Sequence, residues 1–339
     1  MKTTIKDIAQ ATGLSPATVS LVLNNRPSRI SNATRERVLA AAAELGYRSN
    51  SAAVSLRTGR SYSLGLIVPD IRNDYYATYA KGMENACQEM GWSLILCSTN
   101  GTPERERQYI ETLQAKSIDG IAVVTTPPLT GTQSFEANRD LILRMQIPLV
   151  QMDLTGYREP INAVVCDHEK GGYMAARHLI SLGHRKIAFI TGPNSLEGSS
   201  SRLKGCMRAF HDYGLPWDDK MLYEGDYTYA AGLDGIDYLS DRDFTAVFAF
   251  NDLMAYGVYN GLAKYSLSVP EDVSVVGYDD HFFSSIISVP LTTIRQPIYE
   301  MGKEAARILI YKTEHPDTKP VITWFDLKLI VRKSTRKIC

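Results

Sequence analysis

Long apolar runs are missing from this sequence: no stretch approaches the roughly 20 residues needed to cross a bilayer, so no membrane partner is expected. Paired cysteines are missing as well. The five present (Cys87, Cys97, Cys166, Cys206, Cys339) are scattered and never spaced as CxxC, which excludes a disulfide scaffold and predicts buried, reduced thiols. Six histidines are equally dispersed; without an HExxH or a Cys/His cluster, neither a metal nor a cofactor is expected. There is no GxxxxGK(S/T) loop, no GxGxxG after a strand and no GxSxG elbow. Gly171 and Gly172 open a helical stretch without phosphate-loop spacing, so an enzyme is not indicated. The opening MKTTIKDIAQ has no apolar core behind its lysines and does not read as a secretory leader, which points to the cytoplasm.

Excess charge of one sign is absent overall but not locally. Residues 1–60 carry nine Lys/Arg against Asp7, Glu36 and Glu44, a surplus of +6, and the remaining chain balances this with −6. A small basic module on an acidic body suggests that the module meets a polyanion; a merely solvated basic face is the alternative.

Within that module Ile5, Ile8 and Ala9 recur at helical spacing, Thr4 can cap the turn, and Gly13 permits the left-handed residue that ends it. Ser15 is an N-cap with Pro16 at the first helical position. A second helix, about 16–23, turns Val19, Val22 and Leu23 inward and shows Ala17, Thr18, Ser20, Leu21 and Asn24. A third begins near Ser31 and is expected to bury Val38, Leu39, Ala42 and Leu45. Two short helices across a tight turn form a helix-turn-helix, whose second helix enters the major groove by its N-terminal end. Residues 50–57 then make at most a two-turn helix, below the roughly 12–15 residues at which an isolated helix becomes marginal. Leu56 there is a minor-groove wedge or an exposed linker leucine.

Beyond residue 61, strand candidates (64–69, 93–97, 120–125, 148–152, 187–191, 245–250, 273–277) alternate with helical stretches (76–90, 104–116, 171–182, 201–213, 253–264, 299–313). This is the pattern of α/β architecture with parallel sheets covered on both faces. Ligands in such folds bind beyond the carboxyl ends of the strands. The residues at those ends (Asp70–Tyr76, Thr125–Pro128, Asp153, Thr191–Ser201, Asn251–Asp252 and Tyr278–Asp280) therefore carry the candidate site. Tyr75, Tyr76 and Tyr227 offer flat apolar faces; Asp153, Asn251, Asp279 and Arg202 offer directional hydrogen bonds. Sugars want this mixture. Asp252 could instead only cap a helix, and Asp279 could pair structurally with Arg202.

The segments TIKDIAQATGLSPATVSLVLN (4–24), TRERVLAAAAELGYR (34–48), SLR (55–57), GGYMAARHLISLGHRKIAFITG (171–192), NDLMAYG (251–257), VPEDVSVVGYDD (269–280) and LTTIRQP (291–297) together resemble the lactose-repressor (LacI/GalR) family of bacterial transcription regulators over essentially the whole chain. The resemblance implies an all-α helix-turn-helix headpiece (1–48), a hinge helix and linker (49–61), and a two-lobed core (62–339) similar to periplasmic sugar-binding proteins. One lobe is expected from about 62–166 with 297–322, the other from 167–292 with 323–339. It implies a homodimer on a pseudo-palindromic double-stranded operator, with Leu56 wedged into the minor groove. A small-molecule effector, a carbohydrate or sugar derivative, is expected between the lobes.

The DNA-contacting set is then Thr4, Ser15, Pro16, Ala17, Thr18, Ser20, Leu21, Asn24, Arg29, Tyr47, Ala53, Leu56 and Arg57. The effector set is Tyr75, Tyr76, Asp153, Arg202, Tyr227, Asn251, Asp252 and Asp279. Three positions depart from the family pattern: Leu21 stands where a polar base-reading residue is usual, Ser49 where proline is usual, and Val54 where the hinge arginine is usual. The ending after LIVRKST, without a leucine-heptad tail, favours a dimer over a tetramer. A transport-type sugar-binding protein and a sugar-modifying α/β enzyme are the rival readings.

Overall fold

The computed structural model describes residues 3–23, 30–47, 59–124, 133–153 and 161–338. Asn24, Arg29, the hinge positions Ser49, Ala53, Val54, Leu56 and Arg57, the strand end Thr125–Pro128, and Cys339 lie outside the described residues. The chain divides into two compact units, Met1–Ser61 and Tyr62–Cys339.

Among the described residues the first unit contains three helices. Helix α1 (Ile5–Thr12) starts where the Asp7 carboxylate accepts from the Thr4 N–H and hydroxyl at 2.7 and 2.8 Å, and stops at Gly13 with φ 64°. Those hydrogen bonds hold the Asp7 carboxyl below its usual range. Helix α2 (Pro16–Leu23) is capped by Ser15, whose Oγ accepts the Thr18 N–H at 3.1 Å. Helix α3 (Asn32–Glu44) is capped likewise by Ser31 on Thr34. Ile8, Ala9, Val19, Val22, Val38 and Ala42 close a shared core, with Leu23 and Tyr47 packed on it.

Two residues expected in that core are not there: Leu39 is 50% exposed and Leu45 39%. Val38 and Ala42 share one stripe at i, i+4, and Leu39 is turned about 100° away from it. Leu45 is the C-cap and has left the helix.

The second unit carries two six-stranded sheets. The first half of the chain supplies β1 (Ser63–Val68), α4 (Asp74–Glu89), β2 (Ser93–Ser98), α5 (Pro103–Ala115), β3 (Gly120–Val123), α6 (Gln133–Arg144), β4 (Leu149–Met152) and β5 (Asn162–Cys166). The second half supplies α7 (His168–Ser181), β6 (Ile187–Thr191), α8 (Glu197–Asp212), β7 (Leu222–Glu224), α9 (Tyr229–Leu239), β8 (Ala246–Ala249), α10 (Asp252–Lys264), β9 (Ser274–Asp279) and β10 (Thr292–Arg295). The chain then crosses back for α11 (Ile298–Glu314) and β11 (Ile322–Phe325), and ends with β12 (Lys328–Ile330).

Sheet one runs β11-β5-β4-β3-β1-β2 and sheet two β12-β10-β9-β8-β6-β7. Among the described residues every strand pairing is parallel except β10 with β12. The central strands are buried on both faces: Leu64, Leu66, Ile67 and Val68 of β1 are all fully buried. At about 1.5–3 kcal/mol for each large apolar side chain removed from water, continuous burial is what holds these strands, and it explains their lack of alternation.

The chain crosses between lobes three times: after β5, after β10 and after β11. The last two fall slightly away from the expected boundaries. Strand β10 keeps residues up to Arg295 in the second lobe. Strand β11 pairs with β5 from Ile322 to Phe325, so the final return follows Phe325 and not residue 322. Among the described residues, no helix is long and apolar enough to cross a membrane.

Candidate functional site

Between the carboxyl ends of the two sheets lies a cleft of about 110 Å³. Asn73, Tyr75, Tyr76, Val124, Met152 and Asp153 line it from the first lobe; Leu196, Gly198, Arg202, Tyr227, Asn251 and Asp279 line it from the second. Seven of the eight expected effector residues meet here.

Several are held by unusual backbone. Asp153, Tyr227 and Asp279 have φ of 64°, 67° and 113°, a region that costs an L-residue of order 1–3 kcal/mol and clusters at ligand sites. Tyr227 fits only because residue 192 is glycine: a Cβ there would lie 2.1 Å from its ring.

Arg202 dominates the second lobe's wall. It is only 6% exposed, its guanidinium donates to the Phe250 carbonyl, and it lies 3.7 Å from the centre of the Tyr278 ring. Such stacking is worth about 2 kcal/mol when desolvated. Burial opposes its charge, but the surrounding phenols and Asp279 raise its pKa further. Helix α8 brings Arg202 to this place by crossing α7 at backbone contact. A Cβ on Gly172 would lie 2.0 Å from the Arg202 carbonyl oxygen, and one on Gly205 2.0 Å from that of Glu169. Asn251 caps α10, accepting from the Met254 N–H at 2.8 Å while its amide donates to the Tyr227 carbonyl at 3.0 Å. Burial raises the Tyr75 and Tyr76 phenols far above their usual pKa, so both remain neutral hydrogen-bonding groups.

Asp252 is a correction. It is fully buried and does not line the cleft. Its carboxylate accepts from the His281 N–H at 2.8 Å, the Ser284 hydroxyl at 2.5 Å and the Thr293 hydroxyl at 2.6 Å. As the first residue of α10 it is rotated away from the mouth that its neighbour Asn251 faces. The suggested Asp279–Arg202 pair is also replaced. Asp279 Oδ1 accepts from the Gln296 amide at 2.7 Å, and Oδ2 lies 3.5 Å from His281 Nε2.

His168 was not anticipated. Its Nε2 meets Asp153 Oδ1 at 3.1 Å and its Nδ1 the Tyr278 hydroxyl at 3.1 Å, so it ties a first-lobe strand end to the second lobe. It follows β5, a strand the sequence pattern did not reveal, so the strand-end rule could not point to it. Asn73, Leu196 and Gly198 fall inside segments already marked as strand ends but lacked an individual signal.

In the headpiece, Thr4, Ser15, Pro16 and Ala17 are exposed, while Thr18, Ser20, Leu21 and Tyr47 are half-buried. Tyr47 packs on the helical core. Ser15, Pro16 and Ala17 form the exposed leading end of α2.

A helix-turn-helix unit and a two-lobed core with a polar, aromatic cleft define a ligand-responsive DNA-binding regulator. Residues 4–50 match the family of bacterial regulatory proteins, lacI family, and residues 176–335 match the periplasmic binding protein-like domain. The chain is 37% identical over 310 residues to the HTH-type transcriptional regulator DegA of Bacillus subtilis (strain 168), covering 91% of this chain and 90% of that one. It is 35% identical over 338 residues to the HTH-type transcriptional repressor PurR of Vibrio vulnificus (strain CMCP6), covering 99% of each. The ribose operon repressor of Escherichia coli (strain K12) is 34% identical over 316 residues, 92% of this chain and 94% of that one.

Among solved structures, the lac repressor dimer bound to operator and the anti-inducer ONPF superposes with a TM-score of 0.86 at 28% identity, covering 99% of this chain and 100% of that one. The transcriptional regulator CelR in complex with cellobiose gives 0.74 at 30% identity, covering 98% and 100%. The chain belongs to the LacI family. It is a transcriptional repressor of that family, not an enzyme.

Proposed function

We propose that the interlobe cleft binds a neutral, hydroxyl-rich effector, a sugar or sugar derivative, and that this binding sets the affinity of a homodimer for a pseudo-palindromic operator. The observation that carries the reading is the cleft's mixture of groups. Tyr75, Tyr76 and Tyr227 supply ring faces, Asp153 and Asp279 supply acceptors, and Asn251 and Arg202 supply donors. Among the described residues Arg202 is the one cation lining the cleft; it is already committed to a carbonyl and a ring face, and the carboxylates of Asp153 and Asp279 line the same cleft. A phosphate or carboxylate on the ligand would find no uncommitted cation among the described residues lining the cleft; a polyol would meet acceptors for its hydroxyls. Cellobiose in CelR and the ribose named in the ribose operon repressor fit the same chemistry.

In this scheme the exposed leading end of α2 reads the major groove, with Ser15, Pro16, Ala17, Thr18 and Ser20 at the interface. Leu21 offers an apolar contact suited to a thymine methyl. Thr4, Asn24, Arg29 and Tyr47 contact the backbone, and Ala53, Leu56 and Arg57 belong to the hinge. Effector and operator influence each other only through their differential affinity for two lobe arrangements.

A thermal-shift panel of D-ribose, D-xylose, cellobiose, ribose 5-phosphate and adenine tests the reading. At about 100 times Kd, a bound sugar adds about 2.7 kcal/mol, which raises Tm by roughly 5–10 °C for a core of this size. Stabilisation by ribose 5-phosphate or adenine, with none from the neutral sugars, would overturn it.

A further inference from the structure

The cluster behind Asp279 has a feature that cleft binding does not use. His281 is 6% exposed. Its backbone N–H is taken by Asp252, while its ring Nε2, at 3.5 Å from Asp279 Oδ2, makes no hydrogen bond among the described residues. The carboxylate of Asp279 thus faces the cleft on one side and a buried imidazole on the other. Two buried carboxylates, Asp279 and Asp252, are packed about this one ring.

Resting on the reading of the cleft as the effector site, we propose that His281 is a positioning residue: its buried ring, set against the Asp279 carboxylate from behind, keeps that carboxylate aimed at the ligand. Asp279 faces the ring from β9, Asp252 from the start of α10 and Asp74 from the start of α4. Asp280, Arg295, Tyr299 and Glu300 line the adjoining cavity of about 170 Å³. Asp280 is already neutralised, accepting from Arg295 and Arg332 at 2.5 Å each, so it does not compete for the imidazolium. Burial disfavours the charged ring, but Asp279, with Asp252 and Asp74 behind it, outweighs burial and pushes the pKa up to about 9. Without the ring, the Asp279 carboxylate would lose the buried partner it packs against on the side away from the cleft, a costly arrangement for a buried charge.

Histidine-ring NMR on the full-length protein tests this without any ligand, His281→Gln identifying the signal. The expected result is a ring still protonated at pH 8, with a midpoint near 9 that falls by at least one unit in Asp279→Asn. A midpoint near the ordinary value of 6.5 in the wild type, or one unmoved by Asp279→Asn, overturns the proposal, and the wild-type titration decides even if a variant fails to fold. Calorimetry with D-ribose adds the functional arm. Binding is expected to weaken about tenfold in His281→Gln at pH 7, and to weaken in the wild type alone as pH rises through 9. Equal affinity of both proteins across that range overturns it. Should D-ribose not bind the wild type, the choice of sugar fails, while the ring titration still upholds or refutes the charge pair.

Discussion

The crossing of α7 over α8 is the most sharply testable piece of the core, because it places the Arg202 side of the cleft at the mercy of one hydrogen atom. Replacing Gly172 by alanine puts a methyl group 2.0 Å from the Arg202 carbonyl oxygen, 2.7 Å from its carbon and 2.9 Å from its Cα. All three obstacles are backbone, so no rotamer change relieves them; ordinary contact at 3.4–4 Å requires the helices to part by more than an ångström. Overpacking of this kind costs about 1–3 kcal/mol, and rigid backbone on both sides places the expected loss at the upper end of that range.

The separation also withdraws Arg202 from the Tyr278 ring and from the Phe250 carbonyl, so effector binding falls with stability. Urea unfolding of the core (residues 62–339), read alongside the thermal shift given by the best-binding sugar, measures both. The Gly172→Ala core is expected to lose about 3 kcal/mol and most of the ligand response. Wild-type stability with an unchanged response would refute the claim that backbone contact at this crossing positions Arg202.

Further outcomes follow from the same contacts. Arg202→Ala should abolish the sugar-induced thermal shift while leaving operator affinity in gel-shift assays within a few-fold of the parent; a retained shift would remove Arg202 from the site. Ser15→Ala removes the cap of α2 and should cost about 1 kcal/mol of headpiece stability, measured by thermal unfolding of residues 1–61. Leu56→Ala should weaken operator binding without changing sugar affinity, and equal operator binding would exclude the wedge role. His281, protonated when folded up to about pH 9 but only to about 6.5 when unfolded, stabilises the core below that window. Stability should therefore fall as pH rises from 7 to 10, by about 3 kcal/mol at about 1.4 kcal/mol per unit, and His281→Gln should flatten that slope.

Local signals were enough to read the headpiece helices, because Thr4, Gly13, Ser15 and Ser31 are caps and stops whose chemistry acts within a few residues. The buried strands were legible for a related reason: all seven apolar runs proposed as strands needed adjustment by no more than two residues at either end. Strand β5 and the strands β7, β10, β11 and β12 escaped; β7 and β12 are edge strands of three residues each, too few for a pattern, and β11 is the edge of the first sheet. The strand-end rule located most of the cleft for the same topological reason that gives parallel α/β folds their sites.

What lay beyond sequence was direction. Asn251 and Asp252 are adjacent acceptors at one strand end, and only the start of α10 decides that one lines the cleft and the other is sealed beneath Gly277, where a Cβ would lie 2.3 Å from its Oδ1. Composition named Arg202 and Asp279 as a plausible pair, yet packing gave Arg202 a ring and a carbonyl and gave Asp279 a histidine and a glutamine. Residue type determined which groups were available for recognition, because donor and acceptor chemistry travels with the side chain. Tertiary structure alone decided their partners, because Phe250 and Tyr278, tens of residues from Arg202 in the chain, reach it only through the way the strands and helices of the lobe are joined.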